Sequence, residues 1–159
     1  MPAIDLTIGA TAPDFTLLDQ HGEAFSLSAH RGRAVVLYFY PQDDTDGCTR
    51  ENLEFSELST AFAEAGVTLA GVSPDDVDCH ARFAEKYRLP MRLLADPERT
   101  TIEAYGLWRQ KSLYGREYMG LVRTTVLVDA DGRIAGLWSV SRIKGHAAKV
   151  LDAAKALGA

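Results

Sequence analysis

Ala34-Val-Val-Leu-Tyr-Phe-Tyr40-Pro41-Gln-Asp-Asp-Thr45-Asp-Gly-Cys48 reads as a strand, a turn and the start of a helix. Its first seven residues are apolar without alternation, which marks a strand covered on both faces and therefore a sheet with helices on each side. Pro41 ends the strand, because it has no N–H to give to a ladder. The residues after it put Cys48 in the first turn of a helix, beside the Thr45 hydroxyl and near the helix's unpaired amides. Free cysteine has a pKa of roughly 8.5 and is only a few per cent ionised at neutral pH, whereas helix N-termini and neighbouring cations can depress it to roughly 3.5–7.5. A redox or nucleophilic cysteine is the first functional expectation. A small buried residue is the plain alternative.

Working outward, Phe55, Leu58, Phe62 and Ala65 recur at helical spacing, Glu51 and Glu54 lie early where the macrodipole favours anions, and Gly66 stops the run. Val67 to Val72 is a second buried strand. Ser73-Pro74-Asp-Asp opens a second helix carrying Val77, Ala81, Phe83, Ala84 and Tyr87, before Pro90. Leu93-Leu94 reads as a short segment, and Thr100 to Tyr105 as a short helix closed by Gly106. Two β-prone runs, Thr124 to Asp129 and Arg133 to Val140, flank Asp131-Gly132 and spell a hairpin. Gly145 to Leu157 is a terminal helix. Upstream, Gly9 to Leu27 reads as two short strands around the turn Gln20-His21-Gly22. The expected fold is α/β: one domain over residues 1–159, with a mixed central sheet, helices on both faces and an N-terminal β-hairpin, an architecture that resembles the thioredoxin fold.

Composition supports one globular unit: 159 residues, 47% hydrophobic and 25% charged, suffice for a full core. A net charge of -5 without a basic tract argues against nucleic acid. The N-terminus lacks the pattern of a secretory signal and no apolar run approaches bilayer length, so a cytoplasmic protein without a membrane partner is expected. Two cysteines in that setting make a structural disulfide framework improbable, and any bridge between Cys48 and Cys79 transient. No Gly-rich phosphate loop and no Cys-x-x-Cys occur. His21, His30, His80 and His146 show no metal-ligand spacing with either cysteine, so no metal is expected. Asp43, Asp44 and Asp46 read as solvated turn and capping residues. Trp108, Tyr114, Tyr118 and Met119 read as core packing, with a pocket or subunit contact as the alternative.

The register Phe39-Tyr-Pro41-x-x-x-Thr45-x-x-Cys48-x-x-Glu51 is more specific than a lone cysteine, because it fixes a turn proline, a hydroxyl, a thiol and a carboxylate together. It resembles the peroxiredoxins of the AhpC/TSA family, most closely their bacterioferritin-comigratory, or PrxQ-type, subgroup. The likeness continues through Ala12-Pro-Asp-Phe, Gly71-Val-Ser-x-Asp75, Phe83-x-x-Lys86-Tyr, Leu89-Pro, Leu93-Leu-x-Asp96, Tyr105-Gly-x-Trp108, Tyr118-Met-Gly, Arg123-Thr-Thr and Lys144-Gly-His146, which covers most of the chain.

The resemblance implies a thiol-dependent peroxidase acting on hydrogen peroxide and small organic hydroperoxides, with no bound organic cofactor. Cys48 would be the sulfur that attacks peroxide and becomes a sulfenic acid. Thr45 would position the peroxide, and Pro41 would shield the sulfur. Arg123 would bring a fixed positive charge to both, and Glu51 would orient that arginine. Each has a plainer reading: Thr45 as a helix cap, Arg123 as a surface ion pair, Glu51 as an anion at a helix start. Lowering a thiol pKa from about 8.5 to about 6 raises the thiolate fraction roughly 30-fold, worth only about 2 kcal/mol. Enzymic accelerations are commonly about 10⁶-fold or more, so aligning the O–O bond and stabilising the leaving oxygen must supply the larger share.

For recycling, the subgroup often carries a second cysteine five residues after the first, but Leu53 stands there. The other family position aligns with Ala84, which leaves Cys79 as the candidate resolver. Its place at a helix start would favour a thiolate. A disulfide needs Cα atoms roughly 4.4–6.8 Å apart, so two helix starts set farther apart would oblige the chain around Cys48 to unwind. The expected scheme is that Cys79 resolves Cys48 in an intramolecular bridge that thioredoxin or a similar dithiol reduces; the alternative is a one-cysteine peroxidase using an external thiol. A monomer is expected, with a homodimer second. The rival from another class is a non-catalytic thioredoxin-fold binding or chaperone-like module.

Overall fold

The computed structural model describes residues 6–157. Thr16–Leu18 (β1) and Ala24–Ser26 (β2) form the N-terminal hairpin, with Leu17 opposite Phe25. A 3-10 turn, Leu27–His30, leads to β3 (Ala34–Phe39), α1 (Asp46–Glu57), α2 (Ser59–Glu64), β4 (Val67–Ser73), α3 (Val77–Tyr87), β5 (Arg92–Ala95) and α4 (Thr100–Ala104). Then come β6 (Trp108–Leu113), β7 (Arg116–Leu121), β8 (Thr124–Val128), β9 (Ile134–Ser139) and α5 (His146–Leu157). The main sheet runs β2-β1-β5-β4-β3-β8-β9, with β3, β4 and β5 parallel and the flanking pairs antiparallel. It is the mixed sheet expected, and β3 lies inside it.

Every β3 side chain beyond Ala34 is buried, because the two faces of the strand feed two cores. Val35, Leu37 and Phe39 join Phe15, Phe25, Tyr105 and Val126 on one side; Val36, Tyr38 and then Tyr40 join Phe55, Phe62, Phe83 and Val150 on the other. The second face carries α1, α2, α3 and α5, and the first is closed by α4 and the N-terminal hairpin. Tyr38 lies opposite Gly71 in the β3–β4 register. A Cβ at residue 71 would stand 2.7 Å from the Tyr38 ring, so the glycine opens a slot that the ring fills.

Three local expectations change. The helix after Cys48 breaks at Leu58, whose N–H turns to the Phe55 carbonyl at 3.1 Å; the bend lets fully buried Phe55 and Phe62 share one core, with ring centroids 6.0 Å apart. Leu93-Leu94, read only as a short segment, belongs to β5, an inner strand beside β4. Trp108 to Leu121 folds as a separate two-stranded ribbon whose turn residues, Tyr114 (φ 52°) and Gly115 (φ 75°), both adopt the left-handed conformation such a turn requires. Core packing is overturned for three of the four side chains expected to supply it: Tyr114 is 99% exposed, Met119 53% and Tyr118 46%. Trp108 is the exception, half-buried against the core under the Arg99 guanidinium.

His146 opens α5 inside the second core, its Nε2 2.8 Å from the Thr125 hydroxyl. Burial, assisted by the charge of Lys149, pushes its pKa down to about 4. An unfolded histidine titrates near ~6.5. Because the folded value is depressed, the neutral ring's stabilising contribution is present above pH ~6.5 and is lost as pH falls from there toward about 4. Urea melts should show the wild type losing on the order of 2 kcal/mol more than His146→Gln across that window. Parallel loss in both would refute this assignment.

Candidate active site

The turn from Tyr40 to Thr45 carries the chain out of β3 and into α1. Thr45 holds the N-cap position with extended backbone (φ -92°, ψ 157°), and its carbonyl accepts from the Thr49 N–H at 2.8 Å. Its hydroxyl does not cap. It donates to the Gln42 carbonyl at 3.0 Å and so closes the turn instead. Cys48 is the third helical residue, in the first turn as expected, and only 1% exposed. Its carbonyl accepts from Asn52 Nδ2 at 2.9 Å, and Asn52 Oδ1 accepts from the Tyr38 hydroxyl at 2.7 Å, which ties this turn to β3. Gly47 keeps the approach narrow: a Cβ there would lie 3.3 Å from Ile143 and 3.5 Å from Arg123 Nη2.

Arg123 stands between β7 and β8, where β8 pairs with β3 and brings the arginine to the end of that strand. Its Nη2 donates to Cys48 Sγ at 3.1 Å and its Nη1 to Glu51 Oε1 at 2.6 Å. The contact fixes a planar donor fork between sulfur and carboxylate. Glu51 lies one turn beyond Cys48 and its side chain is 1% exposed. Burial pushes its carboxyl up to about 7, a rise that Arg123 opposes and the charge of Glu54 reinforces. The surface reading of Arg123 and the purely helix-start reading of Glu51 do not describe this geometry.

Pro41 is half-buried at the start of the turn and Thr45 is exposed at its end, so Thr45 faces the solvent side of the site. A groove of about 480 Å³, lined in part by Gly47, Arg50, Arg142, Ile143 and Lys144, runs past the same helical turn. A cationic N–H donor thus points at a buried sulfur, with the groove opening past it.

Cys79 belongs to a different cluster. Both cysteines are free, and Cys79 Sγ donates to Asp75 Oδ1 at 3.5 Å. The helix amide that was expected to favour its thiolate is already taken, since Cys79 N–H bonds the Asp76 cap at 2.8 Å. Burial first, and then the charges of Asp75 and Asp43, push its pKa up to about 12. Its thiol is therefore held protonated, contrary to expectation.

Asp43 corrects a further reading. It is no solvated turn residue: its Oδ1 accepts from the Tyr40 hydroxyl at 2.6 Å and its Oδ2 pairs with His80 Nδ1 at 2.6 Å. The two side chains are 1% and 0% exposed. His80 shares the inward stripe of α3 with Val77, Phe83, Ala84 and Tyr87, a helical spacing visible in the sequence that would have marked it as buried.

Comparison with known proteins shows the family. The AhpC/TSA family profile matches residues 8–136. Peroxiredoxin Bcp of Bacillus subtilis is 43% identical over 150 residues, covering 94% of this chain and 96% of that protein. The Xanthomonas campestris bacterioferritin comigratory protein, solved in trapped intermediate and ligand complexes bearing on its alkyl peroxide reduction, superposes with a TM-score of 0.89 at 34% identity over 99% of both chains. Peroxidoxin BcpB of Mycobacterium tuberculosis superposes with a TM-score of 0.83 at 35% identity, covering 95% of this chain and 97% of that one. With a sulfur, a guanidinium and a carboxylate joined at the first turn of α1, and with relatives matched along nearly its whole length, the chain belongs to the AhpC/TSA family, among its Bcp or PrxQ-type peroxiredoxins.

Proposed function

We propose that this thiol-dependent peroxidase reduces hydrogen peroxide and small organic hydroperoxides at Cys48, with Arg123, Thr45, Pro41 and Glu51 as its working site. The observation that carries the reading is the guanidinium 3.1 Å from a buried sulfur and locked from behind by a carboxylate at 2.6 Å. The Cys48 thiolate attacks the outer peroxide oxygen, an S–O bond forms, the O–O bond breaks, and its electron pair leaves on hydroxide or alkoxide. A proton from solvent releases that group as water or alcohol, and the sulfur is left as a sulfenic acid. Arg123 donates to the oxygens as charge moves from sulfur to the departing atom. The Thr45 hydroxyl commits its proton to the Gln42 carbonyl, so its lone pairs face outward as acceptors for the peroxide O–H. Pro41 offers no N–H to compete for the sulfur. One seven-stranded sheet takes strands from β1 through β9, which supports reading residues 1–159 as a single domain; a monomer is proposed with it.

Recycling begins when a thiol attacks the sulfenic sulfur. The protonated Cys79 favours an external attacker, thioredoxin or a similar dithiol in the cytoplasm, over the intramolecular bridge. Among the described residues no helix is long and apolar enough to cross a membrane. After one equivalent of peroxide, intact mass should show gain of one oxygen, with a sulfenic-acid reagent mapping to Cys48. Cys79→Ser should keep most of the thioredoxin-supported turnover. Loss of two hydrogens in the wild type, with turnover abolished in Cys79→Ser, would instead make Cys79 the resolver. Labelling of any residue other than Cys48 would overturn the proposed function itself.

A further inference from the structure

Five residues before the reacting cysteine the fold buries an acid–base pair, and each polar atom of that pair is used. Asp43 Oδ1 receives the Tyr40 hydroxyl, Oδ2 receives His80 Nδ1, and the Asp43 N–H donates to Asp75 Oδ2 at 2.7 Å. Asp75 is steadied by the Ser73 hydroxyl at 2.6 Å, and His80 Nε2 lies 3.0 Å from the Leu94 carbonyl. The ends of β3, β4 and β5 and the inner face of α3 thus converge on one turn. The next residue, Asp44, takes a left-handed backbone (φ 60°) and is held from outside by Lys86 Nζ at 2.7 Å and the Tyr87 hydroxyl at 2.9 Å. A non-glycine residue keeps that conformation only where its surroundings over-determine it. With Asp43 pulled inward and Asp44 turned out, the chain delivers the Thr45 hydroxyl to the Gln42 carbonyl.

We propose that His80, acting through Asp43, is a positioning residue of the peroxidase: the buried pair sets the Pro41–Thr45 turn over Cys48. The pair itself touches neither sulfur nor peroxide. Its work is to hold Pro41 and Thr45 in register beside a buried sulfur. Loosening it has two opposed effects. Peroxide capture slows, because reacting groups displaced by an ångström lose much of their advantage, and the sulfur becomes easier for a bulkier reagent to reach. A purely structural pair would not separate these two rates.

The inference rests on Cys48 being the reacting sulfur, so Cys48→Ser is run in the same assays. For Asp43→Asn, His80→Gln and the double variant, kcat/KM for hydrogen peroxide, iodoacetamide alkylation of reduced Cys48 and melting temperature are measured together. Each single substitution should lower kcat/KM about tenfold or more, the double should be no slower than the worse single, and alkylation should speed up in all three. Tyr40→Phe, which removes one hydroxyl and keeps the ring, should show the same split more mildly if the pair variants fold poorly. Val35→Ala, buried in the core on the opposite face, should lower the melting temperature and leave kcat/KM unchanged. Additive single effects, alkylation slowing in step with peroxide reduction, or an equal loss in Val35→Ala would overturn the role of the pair. Peroxide consumption surviving in Cys48→Ser would overturn the underlying reading instead.

Discussion

Cys48→Ser is expected to reduce peroxide consumption to the background of the reductant alone, a loss of at least about 10⁴-fold, or roughly 5.5 kcal/mol of transition-state stabilisation. The argument turns on the atom exchanged. A hydroxyl at that position stays protonated near neutrality and is a far weaker nucleophile toward an O–O bond than a thiolate, and among the described residues the partner of this sulfur is the Arg123 guanidinium, which is no base. The guanidinium at 3.1 Å would hydrogen-bond a serine oxygen just as it does the sulfur, so the fold should be nearly indifferent to the change. The melting temperature should therefore move little while activity vanishes. Equal consumption by wild type and variant in a coupled thiol assay would leave this site without its proposed chemistry.

Arg123→Met carries the second largest effect, and it acts on two observables with different pH behaviour. Removing a donor aimed at developing charge commonly costs about 10²–10³-fold, or roughly 3–4 kcal/mol, and that range is expected for kcat/KM with any hydroperoxide. Stability suffers as well, because Glu51 keeps a buried carboxylate and loses its cation, a change worth on the order of 3 kcal/mol when the acid is ionised. The Glu51 carboxyl already stands up at about 7 through burial, against roughly 4.3 in an unfolded chain. A raised carboxyl contributes stability below the unfolded value and loses it as pH rises through the folded one. Without Arg123 the folded value climbs further, so the variant should be close to wild type in acid and progressively weaker above neutrality. Adding Glu51→Gln should restore stability at high pH and leave kcat/KM low. Restored activity in the double variant would show that Arg123 serves only to neutralise Glu51.

The elements that define the fold were readable because each announces itself locally. The continuous apolar run of β3, the Asp131-Gly132 hairpin and the Gly-bounded helices all speak within a window of some ten residues. Cys48, Thr45 and Glu51 lie in one such window. Arg123 does not: it is 75 residues from the sulfur that it touches, and only the resemblance to a family placed it. The Asp43–His80 pair spans 37 residues, and three acidic residues in a turn look solvated until the partner that buries one of them is known. The β6–β7 ribbon escaped because Arg109-Gln-Lys-Ser112 lacks the apolar alternation that announces a strand. Burial also decided Cys79, where nearby carboxylates outweigh a helix start that sequence position alone would favour.

The slot opposite Tyr38 reaches into the chemistry by a short relay. A methyl group at position 71 would drive the phenol sideways, Asn52 would lose its donor, and the backbone of the reacting residue would lose one brace. The two positions are thus bound to change as a couple, a bulkier residue on β4 demanding a slimmer one on β3. Where the sulfur sits is governed in part by the smallest side chain in the sheet, two strands' breadth from any peroxide.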